Sequence, residues 1–429
     1  MFKTLVNAWK LADLRQKILF TLMILVLYRV GVAIPVPFLD SNISSQMMAL
    51  SDGSIFQYLN ILSGNAFAQA TLFALGVSPY ITSSIVMQLL TIAIPALENL
   101  AKEGEDGRKK INQITRYVTI GLALITAYGY YMMLRSNGFL TNNGVFAAIV
   151  IIACYCAGAS LVMWLGEKVN ESGIGNGISM ILFANIVSGL PTGISAFWAN
   201  LVSGTVGGAI IAIVTLIIAL AMVVFIVFMH DSERRLPIQY AKKVVGRKMY
   251  GGQSSTLPIK LTMTGVMPII FANSIITIPA TIAMFFKTPA EGSFWAGFLK
   301  AFSSTSVLYA VLTFILIIVF AYFYSSISFN PIEISNNLKK NGGFIPGIRP
   351  GKPTAEYITK ILNRIVLIGA LMLGVIAVVP IIANIIAGGN LGQLAFSGNS
   401  IIIVVGVILE TTRELESQMT MRHYKGFLE

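Results

Sequence analysis

Two cysteines, two histidines and two glycine-bearing turns carry the side chains and backbone that could do chemistry in this 429-residue chain, and each falls at the wrong spacing. Cys154 and Cys156 lie two apart in an apolar run, on different faces of a helix, so they form neither a metal pair nor a disulfide framework and read as small core residues. His230 and His423 stand alone, with no ligand partner at metal spacing. Gly351 and Lys352 resemble the end of a phosphate loop. However, Pro346 occupies the place of its first glycine and Pro353 the place of the Ser or Thr that would bind magnesium. Gly173, Gly175 and Gly177 have the look of a dinucleotide loop, but no strand precedes them and an apolar stretch follows, which suits a tight turn that starts a helix. The chain is therefore expected to be no enzyme and to hold no metal or cofactor.

The remaining polar residues sit inside apolar stretches. Ion-coupled transport needs Asp, Glu, His or Arg near the bilayer centre, to bind the ion or relay the proton, and no apolar stretch has one there. Arg29 is expected to snorkel at the outer end of its span, and Glu410 and Arg413 fall toward an inner end. What the stretches do carry is isolated amides and hydroxyls, notably Gln88, Asn185, Asn273 and Thr277, which are common at helix-helix contacts. Any pathway through this protein is neutral.

The elements that must position these residues are membrane spans. Mean hydropathy is +0.78 and only 11% of residues are charged, which excludes a soluble globular chain of this length. About 20 apolar residues cross a bilayer. That ruler predicts ten spans: 18–34, 71–94, 117–134, 145–165, 174–191, 207–229, 265–286, 306–329, 365–387 and 398–419. Lys and Arg concentrate in alternate connections, at 1–17, 102–116, 234–260, 339–364 and the tail, with a thin turn at Lys168. The intervening connections hold Arg135, Lys287 and Lys300. Basic loops stay in the cytoplasm, so an even number of spans puts both termini there. The last span is short of apolar residues, but without it Arg413, Arg422 and Lys425 would lie outside. The first apolar run lacks a cleavage pattern and is expected to be a retained helix. Phe2, Leu5, Val6 and Trp9, at helical spacing beside Lys3 and Lys10, predict an amphipathic helix on the anionic inner surface; a frayed basic tail is the alternative.

Residues 54–70 are moderately apolar and too short to cross. They suit either a re-entrant segment buried in protein or a short interfacial helix on the outer side. Next comes a run from Gly76 to Leu90, in which Ile81, Ile85 and Gln88 share one helix face.

That run, with Gln57 to Gly64 before it, resembles the second span and plug of the SecY family, the central subunits of bacterial protein-conducting channels. The resemblance runs the whole length. It takes in Gly173 to Ser179, Gly246 to Tyr250, Leu257 to Lys260, Gly265 to Ile282, Asn330 with Pro331, Asn336 to Lys340, and Phe344 to Gly351. The wording of these motifs is similar to the Gram-positive form.

The resemblance implies an all-α polytopic fold of the bacterial plasma membrane. Ten transmembrane helices would form two pseudo-symmetric five-helix halves, 1–200 and 201–429, around a central pore, hinged between the fifth and sixth spans. It implies a pore ring of Ile81, Ile85, Ile178, Leu182, Ile270 and Ile403, where Leu182 departs from an expected isoleucine but keeps its volume. Taken singly, each would read as facing lipid or core. A plug would include Ile55, Phe56, Leu59, Ile61, Leu62, Gly64 and Asn65, and a lateral gate between the second and seventh spans would carry Gln88, Asn273 and Thr277. Without the family these amides are ordinary interhelical contacts. The basic loops at about 230–262 and 330–364 would dock a SecA motor ATPase or the ribosome, led by Arg247, Lys248 and Arg349. Solvated positive-inside loops are the plainer reading for most of their lysines. Further implied partners are SecE-like and SecG-like small membrane subunits, signal peptides, preproteins and membrane lipids. The function implied is a passive channel for secretion and membrane insertion. A secondary transporter or lipid permease is the alternative, and a non-conducting scaffold would have no use for the re-entrant segment.

Overall fold

The architecture is that of a computed structural model, which describes residues 2–40, 43–51, 56–202, 206–240, 243–245, 248–250, 254–263, 265–286, 293–303, 306–386 and 398–425. Ile55 and Arg247 lie outside the described residues.

The first part of the chain forms α1 (Phe2–Lys10), α2 (Ala12–Val32), α3 (Ile43–Ser51), α4 (Gln57–Leu62), α5 (Ser78–Ala93), α6 (Pro95–Lys102), α7 (Glu105–Ser136), α8 (Val145–Ser172), α9 (Gly177–Ser188) and α10 (Leu190–Val202). The second part begins with α11 (Val206–Asp231), followed by β1 (Glu233–Tyr240), β2 (Lys243–Val245), β3 (Lys248–Tyr250) and β4 (Ser254–Lys260). It continues with α12 (Met267–Ile276), α13 (Ile278–Ala283), α14 (Phe294–Ala301), α15 (Val307–Ser328), α16 (Pro331–Lys340), β5 (Gly343–Phe344), α17 (Lys352–Ile386) and α18 (Gly398–Lys425).

Helix boundaries follow local chemistry. Asn176 caps α9, its side-chain oxygen accepting from the Ile178 and Ser179 amides, and Asn330 caps α16 in the same way. Pro95 sits in the first turn of α6, and α5 and α6 meet at a 99° bend. Pro279 likewise opens α13, so the seventh apolar stretch is two short helices in series.

Six described helices are long and apolar enough to cross a membrane, or seven if the bent pair counts as one span. The other predicted spans are also helical, and they miss that threshold for local reasons. α2 carries Asp13, Arg15, Lys17 and Arg29; α12 and α13 are divided; α18 turns polar after Leu409. On α11, Ile217 is 60% exposed and Val224 68%, an apolar face left for lipid or a membrane partner to cover.

The basic loops are not turns alone. β1 pairs antiparallel with β4 (Leu236 opposite Leu257) and with β5 (Gln239 opposite Phe344), joining the two large loops in one three-stranded sheet. Leu236 and Ile259 anchor it on Leu362, Ile365 and Val366. Where that cluster leaves water, each such side chain contributes about 1.5–3 kcal/mol. Inside the bilayer the same burial contributes less, because lipid is as apolar as the core and cohesion comes from close packing and hydrogen bonds.

α1 is helical as predicted, but it also packs on the last helix. Ala8 and Leu14 are buried against Leu415, and Thr4 donates to Glu416 at 3.0 Å. Ala8, a small residue beside its apolar face, lies fully buried at this contact. Val6 and Trp9 stay 44% and 47% exposed.

Candidate functional site

The central apolar cluster draws residues from both ends of the chain. Ile81 and Ile85 of α5, Leu182 of α9, Ile270 of α12 and Ile403 of α18 are all at most 5% exposed within it, and Ile178 of α9 packs against it. Four helices therefore contribute the six expected ring residues to one extended apolar cluster. Leu62 belongs to this cluster and Tyr58 packs on it, so α4 takes part in the same cluster.

The segment around α4 is held very differently. Its helix is only six residues long, too short to be stable by itself. Beyond its C-terminus the backbone runs through a chain of turns fixed by side chains. Asn60 Oδ1 accepts from the Ala68 amide at 3.0 Å and Ser63 Oγ from the Phe67 amide at 2.9 Å. Asn60 Nδ2 donates to Asn65 Oδ1 at 3.2 Å. Tyr130 and Tyr155 donate their hydroxyls to the carbonyls of Phe67 and Ala70. From α9, Asn185 Nδ2 donates to the Leu62 carbonyl at 2.6 Å and to the Tyr28 hydroxyl at 2.8 Å. A buried carbonyl at the end of α4 is thus satisfied by a side chain 123 residues away.

Gly64 closes this seat. Its φ is +63°, and a Cβ there would lie 2.7 Å from Asn185 Oδ1 and 2.8 Å from Arg29 Nη1. Arg29 does not reach water with that nitrogen: Nη1 is buried with no hydrogen-bond partner, as is Asn185 Oδ1. That nitrogen lies against Gly64 and Asn185, while Arg29 as a whole stays half-buried.

Among the predicted plug residues, Leu59 and Leu62 are buried and Asn65, like Gly64, has a positive φ. Phe56 stacks on Phe67 at 6.0 Å, and Ile61 is half-buried.

α5 packs on α12, bringing together the helices that carry Gln88 and Asn273. The amides do not pair with each other. Gln88 Nε2 donates to Ser84 at 3.4 Å within its own helix, its Oε1 is buried without a partner, and Thr277 donates to the Ser274 carbonyl at 2.9 Å. Asn273 instead shares a side-chain hydrogen bond with Tyr58 of α4. Sequence reasoning missed Tyr58, Tyr28 and Arg29 as parts of this site. A tyrosine in a short apolar segment, needing a partner for its hydroxyl, was the available signal.

Arg349 is exposed between two tight turns, with φ +81° at Gly347 and +105° at Gly351. Thr354 donates to its carbonyl at 2.8 Å and Ser335 to the Gly351 carbonyl at 2.7 Å, so the backbone beneath it is fixed. Lys248 begins β3, and the described residues contain no His/Cys/Asp/Glu group fit for a metal.

A model of the SecY family matches residues 71–412. The chain belongs to the SecY family. Protein translocase subunit SecY of Streptomyces galbus is 44% identical over 443 residues, and that of Mycobacterium tuberculosis (strain ATCC 25618 / H37Rv) is 42% identical over 447 residues, each match covering both chains completely. Both sources are Gram-positive actinobacteria, as the motif wording led one to expect. Among solved structures, a SecY channel studied for its plug domain and closed state aligns with a TM-score of 0.66 and 19% identity. Sec61 of the canine ribosome-channel complex aligns with 0.60 and 17%. Each alignment covers 94% of this chain and 92% of the other, and shows the shared fold. SecY membership makes this a multi-pass plasma-membrane protein with a mostly helical channel fold, a translocase subunit and not a transporter or permease.

Proposed function

We propose that the chain forms the gated, passive path by which polypeptides cross or enter the plasma membrane, with the plug, ring and lateral gate built from the residues described above. The observation that supports this reading is that six aliphatic side chains from α5, α9, α12 and α18 share one apolar cluster with α4. A constriction with no polar group resists ions by dewetting, yet binds no passing sequence tightly. α5 and α12 would part as the lateral gate, and an apolar signal helix could take their place. The halves 1–200 and 201–429 would hinge between the fifth and sixth spans, with both termini in the cytoplasm. Energy would come from a SecA-like motor or the ribosome, docked on the sheet of β1, β4 and β5 and on Arg349. SecE-like and SecG-like subunits would complete the assembly.

Two experiments test this. Deleting residues 55–65, or replacing Ile81 and Ile403 with Gly, should raise ion conductance in planar bilayers while translocation persists; unchanged conductance in both counts against the plug and ring. Arg349→Glu should abolish motor-driven secretion at normal membrane abundance, with Arg349→Lys intermediate, because a rigidly held guanidinium makes bidentate contacts that lysine does not. Normal motor-dependent transport by the Glu variant would return Arg349 to a solvated-loop role.

A further inference from the structure

α14 is a helix without a core. None of its eight residues is buried, although its sequence holds two phenylalanines, a tryptophan and a leucine, and Phe294 is 88% exposed. At about 100° per residue, Phe294, Phe298, Trp295 and Leu299, with Phe302 just beyond the helix end, form one arc about 140° wide. Ala296, Gly297 and Lys300 lie on the opposite side. Such an arc is wide enough for a buried helix face, but the chain covers it only in part: Phe294 stands clear, and Trp295, Phe298, Leu299 and Phe302 are half-buried.

The arc is continuous with a surface that faces lipid. α13 exposes Ile278 and Ile282, each at 44%, and Phe286 just after it at 57%. Phe286 meets Trp295 edge to face at 5.9 Å, Trp295 stacks on Phe298 at 5.4 Å, and Phe298 touches Phe302 at 4.9 Å. The aromatic rail therefore runs without a break from the end of the seventh span along α14. Both neighbours of α14, α13 and α15, belong to membrane-crossing segments, so the helix is tethered at the membrane edge on each side.

We infer that α14 lies in the headgroup-acyl boundary of the outer leaflet, its aromatic arc in the lipid and Lys300 toward the headgroups, and fixes the depth of the outer end of α13. Aromatic rings favour this zone because their faces are apolar and their edges tolerate water. A short amphipathic helix with one cation opposite the arc lies in the plane of the interface and does not cross it. This placement stands on exposure and ring geometry, independently of the pore and gate assignments.

The test uses the full chain, with the small membrane subunits that co-purify, in phosphatidylethanolamine/phosphatidylglycerol vesicles. With Trp9, Trp164 and Trp198 replaced by Phe, Trp295 is the sole indole. Lipids brominated near the headgroup end of the acyl chain should quench it severalfold more than lipids brominated near the chain end or than aqueous iodide. Phe294→Ser combined with Phe298→Ser should raise iodide quenching severalfold. A spin label on Phe294→Cys, with Cys154 and Cys156 changed to Ala, should report the same depth by oxygen and nickel-chelate relaxation. Strong iodide quenching, strongest quenching from chain-end bromine, or protection from all quenchers by a covering subunit would each overturn the inference. So would iodide access left unchanged in the double variant.

Discussion

The proposed aliphatic ring and the seat of α4 share one apolar cluster but are built on opposite principles. The proposed ring is six aliphatic side chains within a larger apolar cluster, held by shape, so no single contact there is decisive. The seat is directional: Asn60, Ser63, Asn185, Tyr28, Tyr130 and Tyr155 each make a particular hydrogen bond. A seal that passes any sequence must be indifferent, whereas a plug that returns to one place needs bonds that can be broken and remade. Substitutions should therefore act gradually in the ring and sharply in the seat.

The sharpest contrast is at Gly64. Gly64→Ala forces a methyl between Asn185 Oδ1 and Arg29 Nη1 at positive φ. Strain of this kind costs on the order of 1–3 kcal/mol, which should raise resting ion leak about 5- to 150-fold in planar-bilayer recordings. Adding Asn185→Ala removes half the clash, so the double variant should leak less than the two single effects combined; full additivity would mean that Gly64 acts elsewhere.

Tyr58→Phe removes only the bond to Asn273. Such a bond in a membrane protein contributes about 0.6 kcal/mol, so leak should rise only about two- to threefold. If this bond ties the plug to the gate helix, Tyr58→Phe should also relax the signal-sequence requirement in a secretion assay. Wild-type stringency would show that the two elements move independently.

In the ring, Leu182→Ile conserves volume and should leave conductance and translocation within about twofold of the parent, since such swaps cost under about 1.5 kcal/mol. A leak as large as that of Gly64→Ala would mean that the ring, too, depends on particular contacts.

The membrane spans were legible because charge alternation and apolar length act through the bilayer and need no tertiary information. The six proposed ring residues came from the family resemblance and not from spacing, because singly each reads as an ordinary core or lipid-facing isoleucine or leucine. The seat could not be read this way. Asn185 looked like any amide in an apolar helix, and its partner is a backbone carbonyl, which leaves no trace in side-chain pattern. Gln88 was expected to face Asn273, but Ser84 one turn away in its own helix takes its amide at 3.4 Å. The strands of the cytoplasmic loops were hidden for another reason. β1 contains Pro237 and β4 contains Pro258, and β1 opens with Arg234 and Arg235 just after Glu233, so neither has the pattern of a strand until the other lies beside it.

Arg413 of α18 donates Nη2 to the His230 carbonyl at 2.6 Å and to Asp231 Oδ1 at 2.8 Å, at the end of α11. Two residues later β1 leaves the membrane, and the Leu261 amide closes the base of that sheet on the Ser232 carbonyl at 2.9 Å. The protruding sheet is thereby bolted at its root to the last helix, which is itself braced against α1 through Thr4 and against α2 through Lys17. A partner that pushes on this arm works a short lever with a stiff bearing. A load on it would reach the first and last helices of the chain together, through Arg413, Thr4 and Lys17.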